Sequence, residues 1–188
     1  QSTEFGYPYL EGFRAGIMIE ENHADANGGG VCSLGHGDTG GKIGGVIKVV
    51  GNAAVNGGGF YCNGTFVLWG NQAIIQGNKA IANGGGLFSI SKSKGMIVKI
   101  HDVSNFQENE AAKGGGMFAS GIAQIDLMNS TFLGNVATDG GNLFIDATAL
   151  VVTKHSKFIG GQAEKWGGGI LVDGGKLTAE AITISQSN

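Results

Sequence analysis

The acid and base side chains best spaced for catalysis are Asp102, Asp126 and Lys154, with His101 and Thr153 beside two of them. Counted back from Phe106, Phe132 and Phe158, Asp102 and Lys154 stand four residues before the aromatic, His101 and Thr153 five, and Asp126 six. A polysaccharide lyase needs a base to take a proton and cations to neutralise a uronate, and a glycosidase needs carboxylates flanking the bond. Met128 holds the position between Asp102 and Lys154, and the single arginine, Arg14, is remote from all of them. These residues read as a solvated face, and the sequence names no catalytic group.

Metal and phosphate chemistry fare no better. His23, His36, His101 and His155 follow no ligand spacing, and no carboxylate-rich loop recurs at a calcium-type interval. Glycine-rich stretches such as Gly28-Gly29-Gly30 lack the lysine and following helix of a phosphate cradle. No cofactor is expected. With a net charge of −3 and 14% charged residues there is no clustered basic face for nucleic acid. No run of 18 apolar residues offers a membrane span in this segment.

The elements that would have to position any site are repeats. Residues 77–88, G-N-K-A-I-A-N-G-G-G-L-F, recur with small edits along most of the chain. The glycine clusters open at Gly28, Gly57, Gly84, Gly114, Gly140 and Gly167, 26 to 30 residues apart. Such a period marks a stacked array in which each unit buries its apolar face against its neighbours. The sequence holds 37 glycines and one proline, which excludes collagen and proline-rich linkers and puts the glycines at repeated ordered positions. Each unit supplies an alternating apolar segment ending in Asn, an alanine-containing turn into the glycines, a strand after them, and a further β-rich segment such as residues 95–100 or 122–127. Nothing in the interior offers a long helix. The expected fold is all-β, a right-handed parallel β-helix (solenoid) of about six rungs of 26–30 residues. Residues 1–13 read as a lead-in or cap, and 14–188 as one repeat domain cut from a longer chain.

Stacking gives the asparagines a purpose. Asn22, Asn52, Asn78, Asn109 and Asn135 should occupy one bend in successive rungs as a hydrogen-bonded ladder, broken at Gly161. A second column, Tyr61, Phe88, Phe118 and Phe144, alternates with inward residues; pointing outward it would form an aromatic partner surface, and a bend would turn it inward instead. Cys32 and Cys62 should face opposite ways and are read as separate thiols, with a disulfide as the alternative. Asn63-Gly-Thr65 and Asn129-Ser-Thr131 fit the glycosylation acceptor pattern, which matters in a eukaryotic secretory setting.

The pairing of F-x-x-N (Phe106 to Asn109, Phe132 to Asn135) with G-G-x-apolar (Gly84 to Leu87, Gly114 to Met117, Gly167 to Ile170) resembles the repeat of the polymorphic outer membrane proteins of chlamydiae. The resemblance runs from Asn22 to the end. Ile19, Val49 and Ile75 stand where that repeat has Phe, Gly161 where it has Asn, and G-G-G replaces G-G-A. The resemblance implies a right-handed β-helix passenger displayed extracellularly or on a cell surface and used for adhesion, without the barrel such proteins carry. The expected function is therefore a non-enzymatic adhesin or structural shaft. Its partners would be a cell-surface protein or glycan, or further copies stacked end to end. A polysaccharide-active enzyme fragment and a leucine-rich-repeat-like binding module, suggested by Ile47-x-Val49-x-x-Asn52, are the alternatives.

Overall fold

The computed structural model of the chain describes residues 9–34 and 41–188. All regular elements among them are β-strands, and strands of successive rungs pair in parallel. They build three faces: an eleven-stranded sheet, a five-stranded sheet and a six-stranded sheet. This is a parallel β-solenoid of about six turns, with rungs at the usual ~4.8 Å spacing. Lead-in residues 1–8 and His36 fall outside the described residues, but the stack already includes Tyr9, whose backbone pairs beside Lys42.

The widest sheet changes character along the stack. In the early rungs, strands Tyr9–Glu20, Gly41–Val50 and Phe66–Gln76 cross it unbroken, with irregular register at Gly12/Ile17 and Gly44/Val46. Later rungs divide into pairs such as Ile97–Ile100 with Ser104–Gln107 and Gln124–Met128 with Ser130–Leu133. The division falls at residues with left-handed backbone: Asp102, Asn129, His155 and Ala181. Behind the bend a short column of buried serines, Ser104, Ser130 and Ser156, faces inward. The Ser130 amide donates to Ser156 Oγ at 3.3 Å, and both Ser130 and Ser156 hydroxyls donate to a carbonyl two residues back.

The alanine segment expected to be a turn is instead the five-stranded sheet, made of Ala53–Asn56, Lys79–Asn83, Glu110–Lys113, Val136–Asp139 and Gln162–Trp166. Its small and charged residues have poor strand propensity. Rung-to-rung backbone pairing imposes the extended form, as strand propensity yields to context. After it, the first glycine of every cluster has φ between 62° and 69°. A side chain there would meet backbone: a Cβ on Gly84 would lie 2.3 Å from the Leu87 carbonyl oxygen. Only glycine satisfies both the left-handed turn and the close approach.

The core lies between the faces. Ile75, Phe106, Phe132 and Phe158 are in register and fully buried. Phe106 and Phe132 stack at 4.6 Å with rings 4° from parallel, and Phe132 and Phe158 at 4.9 Å and 14°. Leu87, Met117 and Leu143 fill the core from the six-stranded side.

The five asparagines form a continuous chain along one bend. Asn22 donates through its amide N–H and Nδ2 to Asn52 Oδ1, Asn52 likewise to Asn78, Asn78 to Asn109, and Asn109 to Asn135, all within 2.9–3.0 Å. Each later Nδ2 also reaches a carbonyl of the preceding rung, for example Asn78 to Val49 at 2.9 Å and Asn109 to Ile75 at 2.9 Å. Asn52, Asn78, Asn109 and Asn135 are wholly buried, so every rung's bend polarity is met by protein. Gly161 does not end the chain: Asn135 Nδ2 donates to Asn142 Oδ1 at 2.8 Å. A parallel short ladder, Asn83 to Asn56 at 2.8 Å and Asn56 to Asn27 at 3.1 Å, closes the far end of the five-stranded sheet.

Candidate functional site

The acid and base residues named from sequence are not brought together. Counting back from phenylalanine misplaces Asp102, because the fourth rung carries the additional Val103 after it. By backbone conformation Asp102 belongs with Asn129 and His155, whereas Lys154 is in register with Met128. Lys154 pairs with Glu180 at 2.8 Å. That hydrogen bond and opposite charge raise the Lys154 pKa and lower that of Glu180, but both lie in open solvent. Thr153 is buried, and Asp126 accepts a 3.3 Å hydrogen bond from Gln124. His23 is exposed and 3.3 Å from the fully exposed Asp25. Among the described residues no three potential ligands cluster for a metal ion.

The aromatic column is not the exposed stripe that alternation allowed. Phe88, Phe118 and Phe144 are 7%, 4% and 2% exposed and form a second small cluster with Tyr61, Ile90 and Leu171. Neighbouring rings meet edge-on or tilted, at 5.4 Å (Tyr61–Phe88), 5.3 Å (Phe88–Phe118) and 5.2 Å (Phe118–Phe144). The tight glycine turn folds back on this column, and the Lys113 ammonium sits 5.3 Å from the Phe144 ring centre. Both successive positions after the glycines are thus buried, one in each cluster, which leaves little aromatic surface for a partner.

The two cysteines are free. Cys32 pairs across the rung with Tyr61, while Cys62 pairs with Ser33 and points into the core, so alternation separates the thiols. Burial pushes the Cys62 thiol far above its ordinary range, and the exposed Cys32 is raised less. Of the two acceptor asparagines, Asn129 is exposed at a left-handed bend, whereas Asn63 is half-buried at the end of a paired strand.

One groove among the described residues has room for a ligand, and the sequence does not single it out. A groove of about 410 Å³ runs over the outer side of the five-stranded sheet. Its floor is the backbone of an alanine row, Ala54, Ala80, Ala111 and Ala137, two residues after each ladder asparagine, whose side chains are buried between exposed neighbours. One wall carries His23, Lys79, Glu110 and Val136; the other carries Ile81, Thr138 and Glu164. Lys79 and Glu110, adjacent in register, pair at 2.9 Å, and Thr138 donates to the Glu164 carboxylate at 3.3 Å. The signal was present in the repeated Asn-x-Ala spacing, but alanine carries no chemistry of its own, so the row reads as structural filler until stacking aligns it.

These features define a class, the parallel β-solenoid, with constant inward columns and a variable outer groove. The chain matches no family model, no curated protein and no solved structure.

Proposed function

We propose that this chain is a non-enzymatic, extracellular or cell-surface β-solenoid that presents a variable outer face on a rigid shaft. The observation that carries the reading is the contrast between columns. Inward positions repeat asparagine and apolar residues from rung to rung, while the outward position after each ladder residue runs His23, Ala53, Lys79, Glu110, Val136 and Gln162. A scaffold held constant while its outward row changes suits recognition, because variation there leaves the buried ladders intact. The repeat's resemblance to chlamydial surface proteins supports the same reading. The partner is a protein or glycan on another surface, with end-to-end association of the shaft as a further mode.

Beads coated with the purified chain should be retained on cultured epithelial cells above the level of beads coated with a heat-unfolded sample. Equal retention of both, together with depolymerisation of acidic polysaccharides by the free protein, would replace this reading with the enzymatic one.

A further inference from the structure

We propose that Asn27, Asn56 and Asn83 are sites of spontaneous deamidation that the stacked fold holds closed, so that opening the early rungs leaves a permanent covalent mark on the chain. Each stands directly before the first glycine of a cluster, Gly28, Gly57 or Gly84. Asparagine followed by glycine is the dipeptide most open to this reaction, because no side chain hinders the glycine nitrogen. The fold itself produces the pairing. Its left-handed turn calls for glycine, with φ of 69°, 64° and 63°, and the residue before the turn supplies the amide of the short ladder.

In the reaction the glycine nitrogen attacks Cγ of the asparagine before it; the N–Cγ bond forms and the Cγ–Nδ2 bond breaks. The nitrogen's proton passes through solvent to the departing amide, which leaves as ammonia. Water then opens the succinimide ring at either carbonyl, giving aspartate or isoaspartate. Every group that must move is hydrogen-bonded in the stack. The Gly28 N–H donates to the Asn56 carbonyl at 2.9 Å, Gly57 to Asn83 at 2.8 Å and Gly84 to Lys113 at 2.9 Å. Asn56 is held on both sides, its Nδ2 donating to Asn27 Oδ1 at 3.1 Å and its Oδ1 accepting from Asn83 Nδ2 at 2.8 Å. All three asparagines are half-buried, so water is at hand, and hydrogen bonding rather than dryness keeps the ring from closing.

The product cannot rejoin the ladder. An aspartate formed from Asn56 sets a carboxylate oxygen against Asn27 Oδ1, acceptor against acceptor, and an isoaspartate adds a backbone atom that displaces the glycine turn. The main ladder is spared by its sequence: Asn22, Asn52, Asn78, Asn109 and Asn135 precede His, Ala, Lys, Glu and Val, whose side chains crowd the attacking nitrogen. Asn63-Gly64 supplies a comparison within the chain, since it belongs to neither ladder and its Gly64 N–H reaches the Ile90 carbonyl at the longer distance of 3.3 Å.

The test incubates the whole chain at neutral pH, folded or in urea, and follows amide-to-acid conversion at each asparagine by peptide mapping with mass spectrometry. In urea Asn27, Asn56, Asn63 and Asn83 should convert well ahead of Asn52, Asn78 and Asn109. In the folded chain conversion at Asn56 should be at least about tenfold slower than in urea, as for any group reached through local opening. Asn83→Lys removes the donor to Asn56 Oδ1 and installs the residue type that Lys113 supplies at this place in the next rung; Asn27→Ala removes the acceptor of Asn56 Nδ2. Each should speed Asn56 conversion in the folded protein about threefold or more and leave Asn63 unchanged. Refolded chains carrying a converted ladder site, separated by their added negative charge, should melt below the wild type. The proposal falls if the Asn-Gly sites outlast Asn52 in urea, if Asn56 converts in the folded chain at its urea rate, if both variants convert like wild type, or if converted chains regain the wild-type midpoint.

Discussion

Asn142 occupies the space that the ladder asparagine of the sixth rung would fill, and Gly161 is the residue that makes room for it. A Cβ added at Gly161 would collide with the Gly168 carbonyl oxygen and lie 2.5 Å from Asn142 Nδ2. In other rungs the relationship is reversed: a Cβ on Gly86 or Gly116 would come within about 3.2 Å of the asparagine amide in the following rung. One amide per level is required, and either position can supply it. Asn142→Gly alone removes the acceptor of Asn135 Nδ2, and Gly161→Asn alone creates a clash. Each should cost about 2 kcal/mol or more. The double variant removes the clash with the Asn142 side chain but keeps the one with the Gly168 carbonyl oxygen, so it should recover part of the loss, with a coupling still above the few tenths expected of independent sites. Urea denaturation of all four proteins measures it; additive losses would mean that the two residues are not exchanging one role.

Phe118 is held between Phe88 and Phe144, with 4% of its surface exposed. Phe118→Ala should lower stability by about 3–4 kcal/mol, as for other buried phenylalanines, with a matching fall in thermal midpoint. An unchanged midpoint would show that the column is free surface after all.

The residue before each ladder asparagine adopts the left-handed conformation, with φ of 65° at Gly51, 61° at Gly77, 52° at Glu108 and 61° at Gly134. A non-glycine residue pays for this geometry, typically by 1–2 kcal/mol. Glu108→Gly should therefore raise stability by about 1 kcal/mol, although it loses the exposed 3.0 Å hydrogen bond from Gln76. Gly134→Ala should lower stability by a similar amount, and since no atom lies within 4 Å of the added carbon the loss would be backbone strain alone. Thermal melts that move the two variants in the same direction would contradict this.

Cys62 links stability to alkaline pH. Its thiol is raised from the ordinary 9.0 by burial, with a smaller contribution from Cys32. The folded chain keeps the proton while the unfolded chain releases it, so the stabilisation is complete below pH 9.0 and declines as pH rises above it. Tyr61, also raised by burial, adds to the decline at higher pH. Denaturant midpoints measured from pH 8 to 10.5 should fall more steeply for the wild type than for Cys62→Ala. A maleimide should label Cys32 in the folded protein and Cys62 only after unfolding; prompt labelling of both would place Cys62 elsewhere.

The sequence by itself determined the period, the all-β character and the identity of the ladder, because those depend on residues that recur at fixed intervals and on side chains with one evident use. Phe106, Phe132 and Asn109 announce a core and a bend wherever they recur. Tertiary structure decided the rest. It made the alanine segment a strand, since the pairing that extends it comes from neighbouring rungs. It buried Phe88, Phe118 and Phe144, since alternation gives the side of a strand but not what folds back over it. It exchanged Asn142 for the amide missing at Gly161, and it opened a groove over the alanines. Each outcome depends on contacts between residues some 20 to 30 positions apart, and such contacts exist only once the rungs are stacked.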